Sequence, residues 1–146
     1  MKRSDALAPL SRDHHVGLVA AQRLRRATDA TAPGARDDFL AYWREHGQRH
    51  FRVEEDVLLP WFARHGDAGH EAVVRALVDH VAVRAMALQL ESAAAVPAER
   101  LHELGELLHG HIRHEERTLF PLIEAAVPGD ELPALASRVE RAERDG

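Results

Sequence analysis

Two stretches of the chain carry residues able to do chemistry, and each is close to a copy of the other. His50 to Pro60 reads HFRVEEDVLLP and His111 to Pro121 reads HIRHEERTLFP, so both follow H-[FI]-R-x-E-E-x-x-L-[LF]-P. On an α-helix, residues four apart project from one face, a turn above the other. His50 with Glu54, and His111 with Glu115, each place an imidazole nitrogen and a carboxylate oxygen on one side of a helix. Two such helices set face to face can hold a pair of cations. Imidazole and carboxylate without thiolate suit iron, manganese or zinc rather than copper(I) or an iron–sulfur cluster.

The elements that must position these residues repeat as well. Asp13-His14 precedes the first copy and Asp79-His80 the second, so the order is D-H, H-x-x-x-E, D-H, H-x-x-x-E. Apolar spacing predicts a first helix from Ser11, a good N-cap, to about Ala30, with Leu10, His14, Leu18 and Ala21 on one stripe. A second helix is expected over about Ala35 to Arg64, with Pro60 kinking or shortening its last turns. A third covers about His70 to Ala95, with Val73, Leu77, His80 and Ala87 on one face. The fourth begins at Val96-Pro97, carries Leu104, Leu108, His111 and Glu115, and meets Pro121. A short fifth helix, Asp130 to about Arg144, is amphipathic through Leu132, Leu135 and Val139. It either caps the bundle or offers a surface to a second copy or a protein partner. Short connections between matched helical hairpins point to an all-α, up-down-up-down four-helix bundle.

Length and composition bound the rest. With 146 residues the expectation is a single domain, 1–146, whose bundle covers about 10–125 and whose C-terminal helix covers about 130–144. A net charge of −5 supplies no basic field for nucleic acid. The absence of cysteine excludes disulfides, thiolate metal sites and cysteine nucleophiles. The start, MKRSDALAPLSRDHH, lacks the apolar core of a signal peptide, and no run is apolar enough for a membrane span, so a cytoplasmic location is expected. Eleven histidines are more than packing requires.

These residues and their order resemble the hemerythrin-like (HHE cation-binding) family over about residues 10 to 125. By its motif the resemblance implies six metal ligands: His14, His50, Glu54, His80, His111 and Glu115. It also implies a left-twisted bundle around a non-haem di-iron centre. Two six-coordinate irons offer about twelve positions. Four imidazoles, two bridging carboxylates and an oxo or hydroxo bridge leave roughly two of them open on the same octahedral premise. The open positions suit dioxygen, peroxide or nitric oxide.

One departure limits the resemblance. Oxygen-carrying hemerythrins supply two histidines one turn apart from the third helix, but the residues four before and four after His80 are Ala76 and Arg84. The resemblance therefore stops short of reversible oxygen carriage. The extra open position suits oxidation chemistry, sensing, or a replacement ligand such as His46, one turn before His50. His15 is read as a group behind His14 or on the surface, and Glu55 and Glu116 either hold ligand imidazoles or make exposed salt bridges. No residue stands out as a substrate-specific acid or base. The first expectation is a protein that binds or senses oxygen, an oxidant or nitric oxide, or handles iron. The second is a di-iron enzyme with peroxidase- or catalase-like activity, and the third a partner-binding module set by metal occupancy.

Overall fold

The computed structural model describes residues 2–145, and among these the chain is helical with no strand. Helix α1 spans Ala8–Arg25 and α3 spans Glu71–Ser92. Between and after them, α2 covers residues 32–63 and α4 residues 98–126, each an unbroken succession of α and π turns. A 3-10 turn at Gly129–Glu131 leads into α5, Leu132–Asp145. α1 packs along α4, α4 along α3, and α2 against both α1 and α3. This is the expected up-down-up-down bundle, with a fifth helix at its C-terminal end. No described helix is long and apolar enough to cross a membrane.

Helix ends shift by a few residues for local reasons. α1 starts earlier than Ser11 because the Ser4 carbonyl already accepts from the Leu7 and Ala8 N–H groups, and Pro9 fits the first turn, where its missing donor costs nothing. It stops at Arg25, short of Ala30. A turn in which the Thr28 N–H donates to Thr31 Oγ1 at 2.8 Å takes over there. His70 caps α3, its Nδ1 accepting from the Ala72 N–H at 3.0 Å.

Pro60 does not end α2, which runs on to residue 63, close to the expected Arg64. A π turn at Glu54–Leu58 precedes Pro60, closed by the Leu59 N–H donating to the Glu54 carbonyl. The second copy repeats the device: a π turn at Glu115–Leu119 is closed by the Phe120 N–H on the Glu115 carbonyl, ahead of Pro121. Proline lacks the donor for an i to i−4 bond, and its ring crowds the carbonyl four residues back. Widening the preceding turn by one residue relieves both, so the helix continues. A third π turn, Trp43–Gly47, lies one turn before the first motif and has no counterpart in the other half.

The bundle has two apolar clusters. One gathers Leu24, Phe39, Trp43, Leu101 and Leu104 with their neighbours; the other gathers Leu7, Leu10, Phe62, Phe120, Ile123 and the docking residues of α5. His14, His50, His80 and His111 each fall, along their own helix, between residues of one cluster and residues of the other. A polar layer therefore separates two greasy ends. Leu77 is not on the inward face of α3 as its spacing suggested; it is 37% exposed, and Ala76 takes the buried position instead. Gly105 lets α1 and α4 approach closely, since a Cβ there would stand 2.9 Å from the Ala21 carbonyl oxygen.

Candidate metal centre

The side chains that spacing singled out meet in one layer. His14, His50, His80, His111, Glu54 and Glu115 are all buried, none more than 4% exposed. Within each motif the geometry is the same: His50 Nε2 lies 3.2 Å from Glu54 Oε2, and His111 Nε2 lies 3.2 Å from Glu115 Oε2. The carboxylates also reach across the bundle. Glu54 turns its other oxygen, Oε1, to His80 Nε2 at 3.0 Å, and Glu115 turns Oε1 to His14 Nε2 at 2.9 Å. Each carboxylate thus presents one oxygen to the His14–His50 side and the other to the His80–His111 side. Two groups able to hold a metal ion result, His14, His50, Glu54 and Glu115, and Glu54, His80, His111 and Glu115, with both carboxylates common to the two.

A second ring of carboxylates holds the imidazoles from behind. His50 Nδ1–H donates to Asp13 Oδ2 at 3.1 Å, and His111 Nδ1–H to Asp79 Oδ2 at the same distance. His80 Nδ1–H donates to Glu55 Oε2 and His14 Nδ1–H to Glu116 Oε2, both at 2.6 Å. These bonds fix the tautomer in which Nε2 faces the centre of the layer. The outer carboxylates are held in turn: Arg84 donates to Glu55 at 2.6 Å, and the Ser11 hydroxyl donates to Glu116 at 2.8 Å. Phe51 stacks on His80 with ring centroids 3.8 Å apart, which restricts that ring further.

The inner atoms lack partners. Nε2 of His50, His80 and His111, both oxygens of Glu54, and Oε2 of Glu115 are buried without a hydrogen bond. An unpartnered buried polar atom costs about 1–3 kcal/mol, and six converging on one spot fit a layer built for cations. The titration behaviour agrees. Burial opposes charge on His80, but Glu115, Glu54 and Glu55 outweigh it and push its pKa up to about 11. Burial likewise opposes charge on His111, and Glu115 with Asp79 brings its pKa to about 9. Against the burial that would raise them, His80 with Arg84 holds Glu55 down to about 2, and His14 with Ser11 does the same for Glu116. Protons thus sit on the nitrogens that a cation would need, and metal and proton compete for the same atoms.

Other histidines fall outside the layer. His15 is exposed. His46, on the π turn, is half-buried beside the Tyr42 ring and joins neither donor group. His114 is buried, and its Nε2–H donates to the Ala72 carbonyl at 2.9 Å. Glu55 and Glu116 take the imidazole-holding role of the two weighed for them. The roles of Asp13 and Asp79 escaped the sequence reading. Each aspartate grips the histidine of the next helix, not its own neighbour, and the repeated D-H pair was the available signal.

Four antiparallel helices around a buried layer of imidazoles and shared carboxylates define a metal-binding helical bundle. The family model of the Hemerythrin HHE cation binding domain matches residues 6–123, and the chain belongs to that family. No curated protein and no solved structure matches it at a significant level.

Proposed function

We propose that the chain is a non-haem di-iron protein that binds dioxygen, peroxide or nitric oxide and serves oxygen or redox sensing or iron handling. The observation that carries this reading is the pair of donor groups sharing Glu54 and Glu115, with six inward atoms buried and unpartnered. On this reading His14 and His50 would hold one ion and His80 and His111 the other, with Glu54 and Glu115 available to both. Bound iron would supply electron transfer to a small oxidant. The chain's own residues do the rest. Asp13, Glu55, Asp79 and Glu116 keep every Nε2 aimed inward, and the two apolar clusters keep bulk water from the layer.

A second reading, an oxidative enzyme with peroxidase- or catalase-like turnover, is favoured by one observation. α3 contributes a single imidazole, because Ala76 has no donor atom and Arg84 is committed to Glu55. Fewer protein donors leave more positions for substrate.

The test is iron content with a visible spectrum, taken on reduced protein without oxygen and again after air is admitted. About two irons per chain and absorption that appears on exposure are expected. Reversal on removing oxygen selects binding or sensing. Irreversible oxidation, with peroxide turnover that disappears in His111→Ala, selects the enzyme. A single zinc, or no metal after reconstitution with iron, overturns the di-iron reading.

A further inference from the structure

The four carboxylates behind the histidines are matched in pairs, yet one pair is not equal. Asp13–His50 and Asp79–His111 have the same 3.1 Å contact. Only the first is joined by another carboxylate: Asp13, His50 and Glu143 each offer an atom within 4.8 Å of the others, and among the described residues no third group of this kind gathers at Asp79. Glu143 comes from α5, which lies beyond residues 6–123 matched by the family. The helix has no counterpart in the repeat, so it is the element able to break the symmetry of the layer.

Its docking explains how the carboxylate arrives. Leu135 and Val139 are fully buried in the cluster that holds Leu58, Leu59 and Phe62. Residues four apart share a helix face, so the stripe that docks α5 continues to Glu143. Glu143 Oε2 accepts from Arg49 Nε at 3.2 Å, while its Oε1 is buried without a partner. A carboxylate standing alone behind an imidazole can swing about its own bonds. One pinned by a neighbour on another helix holds the ring in one orientation and strengthens its inner nitrogen as a donor. Two carboxyl groups side by side repel unless a proton or cation lies between or beside them; Arg49 lies beside Glu143, yet burial next to Asp13 still holds the Glu143 carboxyl above the usual carboxylate range.

We infer that Glu143 is a positioning residue which, through Asp13, fixes His50 and makes the His14–His50 subsite hold its cation more tightly than the His80–His111 subsite. The inference rests on the two-ion reading above. Iron(II) added without oxygen to the full chain, followed by calorimetry, tests it. The wild type should take up its ions in two steps separated by about tenfold or more, the usual reach of residues behind a ligand. Glu143→Ala should weaken the tighter step by about tenfold and leave the other in place. Glu143→Gln, whose amide can donate to Asp13 and accept from Arg49, should restore the separation.

A cycle with Asp13→Asn reads the route of action. If Glu143 works through Asp13, Glu143→Ala adds no further loss in that background. Far-ultraviolet circular dichroism of each metal-free variant shows that the helices persist. Two equal steps in the wild type, unchanged steps in Glu143→Ala, or equal losses in both backgrounds overturn the inference. Failure of the wild type to bind any ion pair overturns the two-ion reading itself, and shows before a variant is compared.

Discussion

The histidines of the layer are held at Nδ1 by the outer carboxylates and face the buried Glu54 and Glu115 with Nε2, and this sets opposite pH responses for the metal-free and metal-loaded chain. His111 titrates near 6.5 when free and at about 9 in the fold, and His80 moves further, to about 11. Raised folded values stabilise the fold fully below 6.5, and that contribution is lost as pH climbs through 9 and beyond. Glu55 and Glu116 move the other way, from 4.5 to about 2, so their contribution is present above 4.5 and lost as pH falls toward 2. Glu143, raised by burial and Asp13 to about 7, loses its contribution as pH climbs from 4.5 through 7. Denaturant titration of metal-free protein should therefore show greatest stability near pH 4.5 and a decline toward pH 9. Stability that rose over pH 6.5 to 9 would sink this account of the layer. Metal affinity should rise over the same interval, with protons released on binding, because the cation displaces them from Nε2. At this scale, the residues legible in the sequence were those whose partners lie one turn away. His50 with Glu54 and His111 with Glu115 follow from helical spacing alone. The role of Asp79 was not legible, because successive residues on a helix point about 100° apart and adjacency to His80 says nothing of which imidazole it meets. Asp79 instead meets His111 across the bundle, which only the packing of α3 on α4 decides.

The elements carry the site by two devices, one legible and one not. The apolar stripes announced four helices and their order. The π turns had no separate signal, although their cause, proline two residues past the last π residue, stands in both motifs at Pro60 and Pro121. Preceded by a widened turn, proline lets α2 and α4 run on past it and bury Phe62 and Ile123. The approach of α1 to α4 makes a sharper test. A Cβ on Gly105 would meet the Ala21 carbonyl at 2.9 Å and the Arg25 nitrogen at 3.0 Å, both main-chain atoms that cannot swing away. Gly105→Ala should cost about 1–3 kcal/mol of stability as overpacking. Gly110, on the same helix, has nothing within 4 Å of the added carbon, so Gly110→Ala should gain about 0.5–1 kcal/mol from helix propensity. Thermal unfolding of the two variants, measured side by side, decides it. Equal effects would mean that the α1–α4 contact does not depend on the missing side chain.

For the whole molecule, the layer is a cost that the rest of the chain must offset until cations arrive. Two apolar clusters flank it, and their fully buried members include Leu10, Leu58, Leu104, Leu108, Phe120 and Ile123. Apolar burial on both sides stabilises the bundle independently of any cation. The metal-free protein should keep its helix content and unfold cooperatively, unlike small metal-dependent domains that are unfolded without their ion. Binding should then add to a fold that already exists. Each ion present at about 100 times its Kd contributes about 2.7 kcal/mol by mass action, provided the unfolded chain does not compete for it. On the two-ion reading the two increments should be separable, since the two donor groups share Glu54 and Glu115 but no histidine. His111→Ala removes a donor from one group only, so about one increment should survive in that variant. Glu115→Gln touches both groups, because Glu115 faces His14 and His50 through one oxygen and His80 and His111 through the other. It should therefore erase most of the metal-dependent rise in Tm, while the helix content of the metal-free variant stays close to that of the parent. The scan with and without iron(II), under argon, reads all three chains. If Glu115→Gln kept the full rise, the shared carboxylate would not link the two donor groups. If the metal-free parent were unfolded, the apolar clusters would be insufficient alone and the cations would be part of the folding nucleus.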